Sequence, residues 1–227
     1  SATNGLNIRF QIMLKQLASF PLFISLILAF GVVNAQNSVS DFVVEYKVYG
    51  ANQAVNSTDG DFLSYGFKGT KMHMSLINKM VDLKMIYDDA SGTGLMLNSM
   101  KMGTIKMAVE LTAQDLAHES EKVRIEPLLG TKRIAGFKCL GAKIIVKNKV
   151  IEVWYSTKLK PHQFYFEGYY FAELDGFPLL VIESHTDGQL TSKATKVVQK
   201  QVEESLFETT IPEGYELRTF KQINGGK

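Results

Sequence analysis

Hydrophobic and polar residues alternate along most of this chain with the two-residue period of β-strands, most clearly over residues 131–157, TKRIAGFKCLGAKIIVKNKVIEVWYST. The stretch reads as a β-hairpin entered through a tight Gly turn. With Asn148-Lys149 as a two-residue connection, Val146 is expected opposite Ile151, Ile144 opposite Val153 and Ala142 opposite Tyr155, forming one wholly apolar side. The other side pairs Lys147 with Val150, Ile145 with Glu152 and Lys143 with Trp154, which sets the Lys143 ammonium over the indole. This predicts one face in a core and the other largely in water. Trp154 falls on the wetter face, so Trp154→Ala is expected to cost less than Val153→Ala or Ile144→Ala.

The same period organises the rest. Phe42, Val44, Tyr46 and Val48 alternate with Val43, Glu45, Lys47 and Tyr49, and the polar stretch 50–60 ends that first strand. Asn56-Ser57-Thr58, formally a glycosylation sequon, reads as part of this loop. Residues 62–67 predict a second strand and Lys68-Gly69 a turn. Met72, Met74 and Leu76 then alternate with Lys71, His73 and Ser75, and Val81, Leu83, Met85 and Tyr87 with Asp82, Lys84 and Ile86. A turn at 88–92, a short strand at 95–97 and an inward row of Ile105, Met107 and Val109 continue a meander. Thr112 with Asp115 three residues on is a helix start signal, and 112–122 is the best short helix. The aromatic stretch 162–171 fits neither period and predicts an irregular crossing segment or short helix. Residues 177–184 and 192–202 form a strand pair around Asp187-Gly188, and a turn at 212–214 precedes a last strand. About ten strands and one helix place the chain in the mainly-β class.

Composition changes this picture at the N-terminus. The 227 residues, 45% hydrophobic and 21% charged, have globular composition. Met13, Lys15, the apolar run LASFPLFISLILAFGVV and Val33-Asn34-Ala35 match the charged, apolar and small-residue regions of a secretory signal, with cleavage expected after Ala35. Residues 1–12 read as upstream or vector sequence, 13–35 as the signal and 36–227 as a single β-rich domain. No Cys follows the run to accept a lipid, so a soluble periplasmic or extracellular product is expected. A membrane anchor is the alternative, against which Pro21 and the cleavage site count. Residues 1–35 carry Arg9 and Lys15 and no acid, and 25 basic residues less these 2 leave 23 against 23 acidic ones. That balance disfavours nucleic acid. Cys139, the one cysteine, excludes an internal disulfide and reads as a buried thiol.

Candidate chemistry is sparse. The chain has no Gly-x-Ser-x-Gly elbow, phosphate loop, dinucleotide fingerprint or His-x-x-x-His spacing, and His73, His118, His162 and His185 are scattered over separate predicted elements. No catalysis, cofactor or metal is therefore expected. Eight of the nine methionines fall within residues 72–107. Thioethers at strand period either fill an irregular core or line an adaptable pocket for a lipid or acyl chain. A third reading, Cu(I) capture by soft sulfur, is disfavoured because these methionines sit among Leu, Ile and Val. The candidate apolar lining is Phe42, Tyr46, Met72, Met74, Met85, Met107, Tyr155 and Phe177. The aromatic run 164–171 reads as core or cavity lid before sugar platform.

Three separated pieces resemble one family of secreted proteins of Gram-negative bacteria, domain of unknown function 4412. They are the Met-rich run of residues 84–109, the signature TKRIAGFKCLGAKI followed by IEVWYST, and the closing SLFETTIPEGYEL. Ile134-Ala135-Gly136-Phe137-Lys138-Cys139 matches that family's Ile-Ala-Gly-aromatic-x-Cys. Residues 174–183, LDGFPLLVIE, are similar to the box of the related GLPGLI group and depart from it at Phe177 and Leu179. The resemblance implies a half-barrel like that of bacterial lipoprotein carriers: a single curved antiparallel sheet wrapped around a short helix, with an apolar cavity. It implies no activity. The function expected is a secreted non-enzymatic binding protein for a lipid, an acyl chain or a lipidated protein. The alternative is a structural or interaction protein of the cell envelope whose core is full.

Overall fold

In the computed structural model the described residues are 38–50, 60–102, 105–117, 122–147, 149–162, 169–185, 188–199 and 201–223. The leader region therefore lies outside them, as do His118, the sequon and most of the aromatic run. Twelve strands form one open, curved sheet, and very little of the chain is helical. In chain order the strands are β1 (Phe42–Tyr49), β2 (Asp61–Lys68), β3 (Lys71–Ile77), β4 (Val81–Asp88), β5 (Thr93–Met100), β6 (Lys106–Thr112), β7 (Val123–Ile134), β8 (Phe137–Val146), β9 (Lys149–Ser156), β10 (Phe177–His185), β11 (Gly188–Val198) and β12 (Glu216–Thr219).

Spatial order is β12-β6-β5-β4-β3-β2-β1-β11-β10-β9-β8-β7. Two antiparallel meanders, β1 to β6 and β7 to β11, are thus joined where β1 pairs with β11. Only β12 is parallel to its neighbour, with Glu216 opposite Met107. We name the end where β1 begins the lower end and the end where it finishes the upper.

The alternation read from the sequence holds through the first meander. Tight turns at Gly69 and Gly92, each at a positive φ that suits glycine, close the lower hairpins. On the inner face the ladder register sets side chains in transverse rows. The lowest contains Phe42, Phe67, Met72, Tyr87 and Leu111, and the next Val44, Tyr65, Met74, Met85 and Val109. Phe177 enters this core from β10, its ring 5.2 Å from those of Phe42 and Phe67. The Tyr46 hydroxyl donates to the Pro178 carbonyl at 2.6 Å, tying β1 to β10 across the inside.

The outer face is also partly covered. Ile86 packs with Val202 and Phe207, which belong to the segment crossing behind β1 to β6. Lys68 Nζ holds that segment at 2.9 Å from Glu204 and 3.1 Å from the Val202 carbonyl, and Lys71 makes a second ion pair with Glu204. Behind the second meander, Leu174, Tyr170 and Phe171 cover Ala142, Ile144, Ile151, Val153 and Val181.

That cover corrects the expectation for the hairpin. Its pairs are Ala142–Val153, Ile144–Ile151 and Lys143–Glu152, and Val146–Lys149 closes it around Lys147, which has φ +50°. The register differs by two residues from the one predicted, so each side chain keeps its face while changing partner. The other face is wet at Lys143, Lys147 and Val150 as expected, but Trp154 is buried in the inner core. Its indole N–H donates to Glu152 Oε1 at 2.7 Å, and the cation over its ring is Lys132 of β7, at 4.1 Å, rather than Lys143. Gly141 opposite leaves room for the indole, since a Cβ there would stand 2.9 Å from both the ring and Leu128.

Two elements differ from the sequence reading. Ala113 to Leu116 are turns, in which Thr112 Oγ1 and backbone N–H both donate to Asp115 at 2.7 and 2.8 Å. The cap forms, but Leu116 is drawn into the core, and the short helix instead lies at α1 (Phe220–Ile223), where Phe220 and Ile223 pack against the same core. Strand β7 was not expected at all. It takes Pro127 because it is an edge strand, where a missing N–H breaks no ladder, and a bulge between Leu128 and Thr131 absorbs Gly130.

Candidate functional site

Six of the eight predicted lining residues meet in one place. Phe42, Tyr46, Met72, Met74, Met85 and Phe177 all belong to the inner core, and the three methionines are 1–2% exposed. Burial holds the Tyr46 hydroxyl well above its usual pKa, with Tyr65 and Cys139 adding to the effect. Met107 shares the inner face but is half-buried. Tyr155 is not part of this group: it packs on the outer face with Ile144 and Val153.

The lower rows are therefore floor. Above them the inner face stays apolar while its burial falls away. Leu63, Leu76 and Leu83 form the row above Tyr65, Met74 and Met85, and with Met96 they are only partly buried against the core. Met107 and Asn98 complete that row, opposite each other on β5 and β6. Asn98 Oδ1 is buried there with no hydrogen-bond partner among the described residues. Met100 and Ile105, one step higher, are exposed. The surface is thus an apolar shelf rising from a dry floor to an open rim, with one polar atom inside it. Leu63, Leu76, Leu83, Met96 and Asn98 were missed as lining. The signal that marks them is the alternation itself, since each lies two residues from a neighbour already identified or directly across the ladder from one.

A second concavity opens at the lower end. It has a volume of about 290 Å³ and is lined by Pro161, Phe171, Leu174, Phe177 and Pro178, with Lys160, His162 and Asp175 among its polar groups. Lys160 is ion-paired with Asp175, and His162 Nε2 stands 3.2 Å from Asp89 Oδ2. A carboxylate beside an imidazole orients it, yet none of the described lining residues is a Ser, Thr or Cys that it might activate. Two further titratable side chains are buried. His73 is buried on the outer face of β3, where burial and then the Lys84 charge push its pKa down to about 4. The Cys139 thiol is buried and pushed up to about 11. No group of His, Cys, Asp and Glu with metal-site geometry occurs among the described residues, and no described helix is long and apolar enough to cross a membrane.

No protein-family profile matches the chain, and no curated protein matches it. Solved structures match it at low identity. One structure of PNGF-II shares 14% identity at a TM-score of 0.48, over 79% of this chain and 31% of that one. A second crystal form of PNGF-II gives 16% identity and 0.46, over 78% and 30%. The chain thus spans about a third of the length of the proteins it resembles.

Proposed function

We propose that this is an exported, non-catalytic binding protein that holds an apolar ligand, such as a lipid, an acyl chain or the lipidated end of a protein, on the upper part of the inner face. The observation that carries the reading is the half-buried apolar row of Leu63, Leu76, Leu83 and Met107 around the unpartnered Asn98 Oδ1. Binding sites for such ligands are mostly apolar concavities with a few polar groups that fix orientation. Asn98 would accept a hydrogen bond from a ligand hydroxyl or protonated carboxyl. The resemblance of three segments to a family with a carrier-like fold points the same way, and the signal-like leader supports export.

The test is an organic-extract mass spectrum of the protein purified from its native host, with titration of a fluorescent fatty acid. A co-purifying lipid, and fatty-acid binding weakened by Leu83→Gln in a variant with unchanged circular dichroism, are expected. Absence of both defeats the carrier reading. Export is checked separately, by an intact mass matching a start at Gln36.

The burial of Met72, Met74 and Met85 favours a second reading, an envelope interaction protein whose core is simply full. It predicts no extracted lipid and no fatty-acid binding. The enclosure of those same methionines counts against the copper reading.

A further inference from the structure

The upper rim carries a different kind of surface from the shelf below it. The turns that join β3 to β4 and β5 to β6 stand side by side, tied by the Lys101 N–H donating to the Met80 carbonyl at 2.8 Å and by Val81 opposite Met100. They present large apolar side chains to solvent: Met102 is 85% exposed, Met80 61% and Ile105 53%, with Ile77 and Met100 above 40%. Isolated exposed apolar residues need no explanation, but five on two adjoining turns form a patch.

The charge around the patch selects its partner. Lys47, Lys79 and Lys101 line a shallow, open depression of about 330 Å³ beside the same turns, and Lys106 follows Ile105. Asp61 also lines the depression, and Asp82 is neutralised by Lys101 at 2.9 Å. Lysines flanking exposed thioethers repel a cuprous ion. A face of another protein would have to match both the apolar protrusions and the positive collar. An anionic phospholipid surface offers both at once: acyl chains for Met80, Met102 and Ile105, and phosphates for ammonium groups on stems long enough to lie along the interface. We infer that the strand ends at the β3–β4 and β5–β6 turns are a membrane-docking tip that dips its methionines into an anionic lipid leaflet while Lys47 and Lys79 engage phosphates. This does not depend on a ligand being carried on the inner face.

The test reads the tip locally in the full chain. Cys139 is buried and its pKa is raised, so an introduced cysteine is the thiol that labels. Met102→Cys and, as control, Ala90→Cys in the turn at the lower end are each coupled to an environment-sensitive fluorophore. They are then mixed with vesicles of phosphatidylglycerol and phosphatidylcholine, or of phosphatidylcholine alone. An apolar leader entering the same vesicles would not by itself distinguish the two labels. The expected result is a blue shift at position 102 with the anionic vesicles, diminished by salt and absent at position 90. In the labelled chain, Lys79→Glu is expected to raise the lipid concentration for half-maximal shift at least about tenfold, since each lysine near such a surface contributes on the order of 1 kcal/mol. No shift at position 102, an equal shift at position 90, or no effect of Lys79→Glu overturns the inference. A concentration-dependent shift without vesicles also overturns it, in favour of a face between two copies of the chain.

Discussion

The middle and the upper end of the first meander use the same residue to opposite purpose. Met74 and Met85, in the middle of their strands, are sealed in the core, whereas Met80, Met100 and Met102 stand in water at or beside the upper turns. What separates them is position in the strand rather than residue type. A mid-strand side chain is flanked by ladder neighbours on both sides, and a turn side chain has none above it. Methionine content alone says nothing about a pocket; methionine placed against the strand ends does.

The contrast is tested first where truncation empties space. Trp154→Ala should lose about 3–5 kcal/mol, and Met74→Ala or Met85→Ala about 2–5, by urea unfolding. Met80→Ala and Met102→Ala should stay within about 0.5 kcal/mol. Losses of 2 kcal/mol or more at the tip would erase the distinction. The middle is also dry on its outer face, which pH reveals. The pKa of His73 is about 4 when folded and near 6.5 when unfolded, so the unfolded chain binds the extra proton. Stability should therefore be full above pH 6.5 and fall by up to about 3 kcal/mol as pH drops toward 4, and His73→Leu should flatten that slope. Glu204, held down to about 2 chiefly by its hydrogen bonds to Lys71 and Lys68, adds a further loss as pH falls from its ordinary value of 4.5 toward 2. Tyr46→Phe leaves the buried Pro178 carbonyl without its donor and should cost about 1–3 kcal/mol. The smallest effect on stability is expected from mild peroxide, which should convert Met80 and Met102 to sulfoxides before Met72, Met74 or Met85, as read by peptide mass spectrometry.

Much of the fold was legible because a β-strand announces its faces through alternation, and the inner rows of β1 to β4 follow the pattern Phe42-Val44-Tyr46 and Met72-Met74-Leu76 directly. Partner identity was less so. In the β8–β9 hairpin, moving the closing pair from Lys147–Val150 to Val146–Lys149 changes every pair and no face, so periodicity cannot distinguish them. Burial of Trp154 was hidden for another reason. A face reads as wet from its lysines, yet Lys132 lies flat over the indole and the ring sits in the core below. Pro127 and Gly130 concealed β7, since in a central strand they would argue against pairing, and edge position is a property of topology. The candidate site divides in the same way. Its floor of Phe42, Met74 and Met85 came from alternation, whereas the open shelf and the tip depend on where each strand stops.

The parallel pairing of β12 with β6 has a consequence for how the molecule is made. Met107 waits for Glu216, and β1 cannot gain its second neighbour until Thr191 reaches Tyr49, so the two longest waits in the chain belong to the strand that starts the sheet and the strand that ends its first half. Until β12 arrives, β6 presents a bare row of N–H and C=O groups beside Ala108 and Val109, a template for strands of other molecules. Such late, distant pairings make folding slow. A nascent chain would then pass through an interval of stickiness that ends when the segment around Val202 and Phe207 is laid across the back of the sheet and brings β12 to the edge.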